Sequence, residues 1–327
     1  MFIYTFVKQA VRILQNNVQQ REKQKMKRTK NNSKKVNAIF TADWHLREDS
    51  PICRTDNFQN AQWNKVDFIS DLQRKYNCPV IHAGDLFDHW KPSPYLLTQT
   101  IQHLPERFWT IYGNHDLPQH NLELAYKTGI NTLEQACLEK GFAILYDGVH
   151  WLQEPNNNSY LNYFDLIRKV CIWHVMTYQG KQPWPNCTDL SAKQILEKYP
   201  QFDLIVTGHN HTAFVEELDG RLLVNPGSLT RQEADKEKHK PRVYLYYMQE
   251  NKVTPVYLPI KQDVISREHI EKIEQRDNRI SAFVERLNTE WKTSLSFEEN
   301  LERFEKENNI RKSVMQLIRK AIEDEKE

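Results

Sequence analysis

Pro79-Val80-Ile81-His82-Ala83-Gly84-Asp85-Leu86-Phe87-Asp88 sets a short apolar run against a Gly-Asp pair, and this junction decides the fold. The run predicts a buried strand over Pro79–Ala83 that delivers Asp85 just past its end. The same grammar recurs along the chain. Val36–Ala42 ends in Asp43-Trp44-His45, and Arg107–Tyr112 ends in Gly113-Asn114-His115-Asp116. Val170–Val175 carries His174, and Leu204–Thr207 leads into Gly208-His209-Asn210-His211. Helical spacing is expected over Phe58–Tyr76, Tyr95–Leu104, Leu122–Tyr126, Thr132–Glu139 and Ala192–Tyr199. Further strands are expected over Phe142–Tyr146, His150–Gln153, Ala213–Glu216, Arg221–Val224, Arg242–Tyr247 and Val253–Leu258. Alternation early and consecutive strands late predict an α/β fold of two packed sheets with helices outside them. Ligands in open α/β sheets gather at the carboxyl ends of strands, where every one of these polar segments falls.

The polar segments carry metal ligands. Asp43 and His45 sit two apart, which in an extended segment points both side chains to one side. Asp85 can bridge two cations with its two oxygens. Asn114 offers a carbonyl oxygen, and His174, His209 and His211 offer imidazole nitrogens. Such a mixed nitrogen and oxygen shell suits manganese, iron or zinc better than calcium. Two cations about 4 Å apart can turn a water into a hydroxide nucleophile and neutralise the phosphoryl oxygens. Departure of the leaving group still needs a proton. His115 is the candidate acid, with Asp88 expected to orient it and hold it as imidazolium. Asp116 is expected to make a loop hydrogen bond or a helix cap. Trp44 and Trp90 are expected in the core or as walls of the cleft, and His89 and His120 lie near active segments.

Around this centre the chain divides into three: residues 1–35, 36–260 and 261–327. The 327 residues carry a net charge of only +2, but residues 1–36 hold ten Lys or Arg and one Glu. The remainder is therefore acidic. This basic arm, with a helix expected over Val7–Met26, either touches nucleic acid or serves as a solvated tail. Five cysteines without zinc-ribbon spacing point to a reducing, cytoplasmic setting. No run is apolar enough to span a membrane. Beyond Val264, Gly and Pro vanish and charged residues dominate. Ile270, Ile273, Ile280, Phe283, Val284, Leu287 and Trp291 suggest a helical stripe, and Ser296 with Glu299 a capping box. This helical appendage either packs on the body or offers an apolar face to a partner.

Taken in order, the motifs resemble those of the calcineurin-like metallophosphoesterases, from about Val36 to Arg231. The resemblance implies a four-layer α/β/β/α sandwich of two mixed sheets. It also implies that Asp43, His45, Asp85 and His211 hold a first metal, and that Asp85, Asn114, His174 and His209 hold a second. Asn225-Pro226-Gly227-Ser228 with Thr230-Arg231 resembles the late strand-turn block of that superfamily. Thr41–Leu46, Gly84–Phe87 with Lys91-Pro92-Ser93, and Gly113–Pro118 are similar to the Mre11/SbcD nuclease branch. That likeness implies DNA as substrate, manganese as metal, and a Rad50/SbcC-like ATPase docked on the C-terminal helices. A homodimer is a further expectation. His174 is followed by Val175 where the superfamily often has Gly, and the region after Leu258 is short for a DNA-shaping domain. The alternatives are a phosphatase or phosphodiesterase acting on a small molecule or nucleotide, and a non-catalytic scaffold.

Overall fold

The computed structural model describes residues 35–164, 167–290 and 296–324. Residues 1–34 of the basic arm, including the helix expected over Val7–Met26, lie outside these, as do Trp291 and the side chains of Phe283, Val284 and Leu287.

Among the described residues, ten strands form two sheets. They are β1 (Ala38–Thr41), β2 (Val80–His82), β3 (Phe108–Thr110), β4 (Ala143–Ile144), β5 (Val170–His174), β6 (Leu204–Gly208), β7 (Phe214–Leu218), β8 (Arg221–Asn225), β9 (Arg242–Tyr247) and β10 (Lys252–Tyr257). One sheet runs β10-β9-β1-β2-β3-β4 and the other β5-β6-β8-β7. In the first, β1 to β4 are parallel, β9 is antiparallel to β1, and β10 is antiparallel to β9. In the second, β5, β6 and β8 are parallel and β7 is antiparallel.

The two-residue period of a strand sorts its side chains into layers. From β1 and β9, Ile39, Val243 and Leu245 face outward to the helices, among Val66, Ile69, Leu96, Ile130 and Leu133. Their neighbours Ala38, Phe40, Tyr244 and Tyr246 face the other sheet, among Val170, Ile172, Leu204, Val206, Leu222 and Val224. On the far side Cys171, Trp173, Ile205 and Leu223 pack with Ala192, Ile195 and Leu196. The result is the α/β/β/α sandwich expected.

The helices obey local rules. α1 (Phe58–Tyr76) is capped by Asn57 and ends at Asn77, which takes the left-handed conformation. α2 (Pro94–His103) starts with Ser93 as N-cap and Pro94 in its first turn, where a missing N–H costs nothing. α3 (Gly129–Ala136) is capped by Thr128, and α4 (Ala192–Lys198) opens on a Ser191–Gln194 capping box. Leu122–Lys127 forms 3-10 turns rather than α-helix. His150–Gln153 is not the strand expected: Gln153 N–H closes a turn on the His150 carbonyl at 3.1 Å.

The compact body extends to Ile265, a few residues past the expected boundary. Arg231 donates to the Lys261 carbonyl and Thr55 N–H to that of Val264, holding this stretch to the body. A separate unit, from Ser266 on, contains α5 (Glu268–Glu290), α6 (Phe297–Asn308) and α7 (Lys312–Asp324). The Ser296–Glu299 capping box opens α6. Leu301, Phe304, Met315 and Ile318 form the core of this unit.

Candidate metal centre

Each polar segment leaves the C-terminal end of a parallel strand. Asp43 and His45 follow β1, Asp85 follows β2, Asn114 and His115 follow β3, His174 ends β5, and His209 and His211 follow β6. The chain does not leave these strands in extended form. Asp43, His45, Asp85 and His209 have φ of 49°, 43°, 58° and 82°, the left-handed region that side chains rarely adopt. Asp43 and His45 therefore converge through two left-handed residues, not through strand alternation as expected. Trp44 between them is fully buried, donating to Thr41 Oγ1 at 2.7 Å, so it belongs to the core and not to a cleft wall.

The side chains gather in two groups. In one, ligand atoms of Asp43, His45 and His211 lie within 4.8 Å of one another, and in the other those of Asp85, His174 and His209. His45 Nε2 faces His211 Nε2 at 3.0 Å and Asp85 Oδ2 at 3.6 Å. Asn114 Oδ1 is 3.0 Å from His174 Nε2 and 2.8 Å from His209 Nδ1, and Asp85 Oδ2 is 3.4 Å from His174 Nε2. Asp85 joins the groups through Oδ2. Its Oδ1 accepts the backbone N–H of His115 at 2.8 Å.

These contacts set lone pairs against lone pairs. His174 Nδ1 donates to the Ala83 carbonyl at 2.7 Å, which fixes the ring and turns its Nε2 toward two oxygens. A proton or a cation must sit between them. Without a cation the proton sits on His174. Burial opposes its charge, but Asp85 and Asp43 push its pKa up to about 9. Burial also lifts Asp43 to about 7, against the pull of His174 and with the push of Asp85. Asp43 Oδ2 is buried with no hydrogen-bond partner. Burial holds His209 and His211 down at about 4, so these imidazoles are neutral and free to donate a lone pair. Two neutral imidazoles and a buried carboxylate oxygen without a partner are donors that a divalent cation can use.

His115 is exposed and stands edge-on to His45, with ring centroids 4.6 Å apart. Its Nδ1 donates to the backbone carbonyl of Asp88 at 2.8 Å. The Asp88 carboxylate reaches Arg47 Nη1 at 3.2 Å and His45 Nδ1 at 3.7 Å. Ligand atoms of His45, Asp88 and His115 lie within 4.8 Å of one another, so Asp88 stands by His115 with its side chain as well as its main chain.

A domain-level comparison agrees with this geometry: residues 38–250 match the model of the calcineurin-like phosphoesterase superfamily domain. The chain belongs to that superfamily. The match singles out no branch, and no curated protein sequence matches this phosphoesterase-superfamily chain. Among solved structures, a novel archaeal phosphodiesterase is 15% identical, with 68% of this chain and 99% of that chain covered and a TM-score of 0.36. Wild-type Vps29 complexed with Zn2+ from Entamoeba histolytica is 14% identical, with 68% and 97% covered and a TM-score of 0.29.

Three further features shape the superfamily site in this chain, the first of them the loop hydrogen bonding expected of Asp116. Asp116 is buried and accepts four backbone N–H groups, from Asp85, Leu86, Phe87 and Gly113, at 2.8–3.2 Å. It ties the loops after β2 and β3 together. The glycines preceding ligands are spacers. A Cβ on Gly84 would stand 2.4 Å from His174 Nδ1, and one on Gly208 2.3 Å from the Ala83 carbonyl. Trp151 lies over His209 with centroids 4.7 Å apart and near His174 at 5.9 Å. Only the period of His150–Gln153, misread as a strand, could have signalled it. Behind the site, Asn225 Nδ2 donates to the carbonyls of Asn210 and Thr212, and Leu229 N–H to that of Asp43.

Proposed function

We propose that this chain is a two-metal phosphodiesterase that hydrolyses DNA in the manner of the Mre11/SbcD branch. The observation that carries the hydrolase reading is Asp85 Oδ2, shared between a His45–His211 group and a His174–His209 group. Asp43, His45, Asp85 and His211 hold one cation, and Asp85, Asn114, His174 and His209 the other. Manganese fits this mixed donor set. Bound there, the cations supply Lewis acidity and neutralise charge on the phosphoryl group.

The protein's own groups do the rest. His115 presents its second ring nitrogen at the mouth, since Nδ1 is engaged by the Asp88 carbonyl. From there it protonates the leaving oxygen. The Ala83 carbonyl fixes His174 so that its Nε2 lone pair faces inward. DNA as the substrate rests on the likeness of Thr41–Leu46, Gly84–Phe87 and Gly113–Pro118 to that branch.

A steady-state comparison of linear DNA, bis(p-nitrophenyl) phosphate and nucleotide monoesters tests the reading. Manganese-dependent cleavage of DNA and the diester is expected. Activity confined to monoesters would leave the metal site standing and remove the nuclease.

The C-terminal unit supplies the partner surface in this reading. Ile280, Val314, Leu317 and Ile318 line a cavity of about 290 Å3 with Arg276 and Arg279. A Rad50/SbcC-like ATPase or a second copy of the chain would cover it. Deleting residues 266–327 should abolish such binding and spare diester hydrolysis. All five cysteines are free and buried, which supports a reducing, cytoplasmic setting. Among the described residues no helix is long and apolar enough to cross a membrane.

A further inference from the structure

The turn at His150–Gln153 is built with unusual care for a surface feature. Its four residues are braced from three sides. Val149 N–H donates to the Ile172 carbonyl and its own carbonyl accepts from His174 N–H, both on β5. His150 Nδ1 accepts the N–H of Tyr112, and Trp151 N–H donates to the Tyr112 carbonyl, so the loop after β3 is tied in. Trp173 Nε1 donates to the Gln153 carbonyl at 3.2 Å, and Gln153 Oε1 accepts the N–H of His150 at the same distance. The turn therefore rests on the two strands that deliver Asn114 and His174.

What the turn presents is apolar. Trp151 covers the ring of His209, and His120 approaches it edge-on at 6.3 Å and 82°. Leu152 follows, 76% exposed, with φ of 65°. It occupies the third position of the turn, where a positive φ normally selects Gly or Asn. A branched apolar side chain there is strained by its backbone and gains little from burial. His120 and Gln119 across the rim also have positive φ, 58° and 50°. Backbone outliers of this kind, next to a reactive site, point to a contact that needs the side chain.

Resting on the phosphodiesterase reading above, we propose that the Trp151–Leu152 turn, with His120, is the wall that receives a nucleobase next to the scissile phosphate. The ligand chemistry fits. A diester seated at Asn114, His174 and His209 lies beside this turn, because the Trp151 ring is 4.7 Å from that of His209 and 5.9 Å from that of His174. Flat bases stack on aromatic rings whatever their sequence, and leucine is among the side chains that wedge against base steps. Trp151 seats the wall on His209, and Leu152 supplies an exposed apolar contact. This wall selects diesters that carry a base over diesters that do not.

The test uses the full chain with manganese and a short fluorescein-labelled single strand with a phosphorothioate backbone to slow cleavage. Binding is read by anisotropy for this strand and for one with abasic sites at its centre. The wild type should prefer the intact strand by about tenfold, within the range found for single stacked bases. Leu152→Ala should bring that preference to about twofold or less. Leu152→Gly should do the same while raising the thermal midpoint, because it relieves the positive φ. A wild type without base preference overturns the inference, as does a tenfold preference kept by both variants or a lowered midpoint in the glycine variant. Base preference in this strand, with an unmodified phosphodiester strand of the same sequence left uncut under manganese, keeps the wall and sinks the nuclease reading. A strand cut without base preference does the reverse.

Discussion

Gly113→Ala puts one methyl group against the residue that joins the two halves of the metal centre. A Cβ at position 113 would stand 2.1 Å from Asp85 Oδ1, 2.5 Å from its backbone N and 2.7 Å from its Cγ. Ordinary contact needs about 3.5 Å, so Asp85 must retreat by roughly 1 Å. It cannot do so freely. Its Oδ1 is held by His115 N–H and its own N–H by Asp116 Oδ2, each at 2.8 Å. Losing one charge-assisted hydrogen bond costs about 1.5–3 kcal/mol, and overpacking adds about 1–3 kcal/mol. The sum, on the order of 4 kcal/mol, corresponds to about 8–16 °C in a domain of this size. The shift also moves Oδ2 away from both imidazole groups, so manganese affinity should fall by about 100-fold, the upper end of what a disturbed ligand shell costs. Differential scanning fluorimetry on the metal-free protein and isothermal titration with manganese give the two numbers independently. A thermal midpoint within about 2 °C of wild type refutes the packing argument. A lowered midpoint with unchanged manganese affinity refutes Asp85 as the shared ligand.

Three other outcomes follow from the same contacts. His115→Asn should lower kcat on a diester by about 100-fold or more while manganese stoichiometry, read by titration, stays unchanged; equal activity would remove the ring from proton transfer. Asp43→Asn should raise the thermal midpoint of the metal-free protein, because Oδ2 is buried without a partner beside Asp85, and should abolish the stabilisation that manganese gives. Lys65 is buried, its Nζ bonded to the Ala61 carbonyl, and burial followed by Arg54 and Arg231 pushes its pKa down to about 8. A lysine depressed in the folded state weakens folding below that pH, and the cost fades as pH rises toward 10.5. Lys65→Met should therefore gain about 2–3 kcal/mol at pH 7 by denaturant titration, with the gain shrinking above pH 8; a gain independent of pH would refute the charge argument.

Much of the fold is legible in the sequence because its signals are local. The run from Phe58 to Tyr76 repeats its apolar residues on one helical face, and its caps, Asn57 and Asn77, stand at the boundaries the structure has. Arg242–Tyr247 is a short run of Val, Leu and Tyr and forms β9 over those six residues. The Gly-Asp, Gly-Asn and Gly-His pairs mark where strands end. What is not legible depends on long-range partners. Asp116 reads as a loop cap, yet its four N–H donors come largely from a segment some thirty residues away. The Asp88 carboxylate reaches Arg47 while the His115 ring takes the main-chain carbonyl, a division no spacing encodes. His-Trp-Leu-Gln at 150–153 has strand composition, and only the brace from Tyr112 and Trp173 bends it into a turn.

The left-handed ligands explain why this site needs so large a body around it. Asp43, His45, Asp85 and His209 each hold a positive φ, at about 1–2 kcal/mol apiece, so the crest stores several kcal/mol of backbone strain. Local hydrogen bonds do not hold such residues in place. Trp44 does, since it is sealed against His82 and Phe108 and cannot turn outward without exposing its indole. Asp116 does the same for the next loop by collecting N–H groups from residues 85–87. Both anchors are fully buried in the loops that follow β1 and β3, so relaxing the crest would mean opening the core. The unpartnered Asp43 carboxylate oxygen weakens the metal-free chain and would be satisfied by a cation at the centre, while the strained backbone is held by the core around it. Affinity for metal and local instability are thus two readings of one arrangement, and a substitution that improves one should degrade the other.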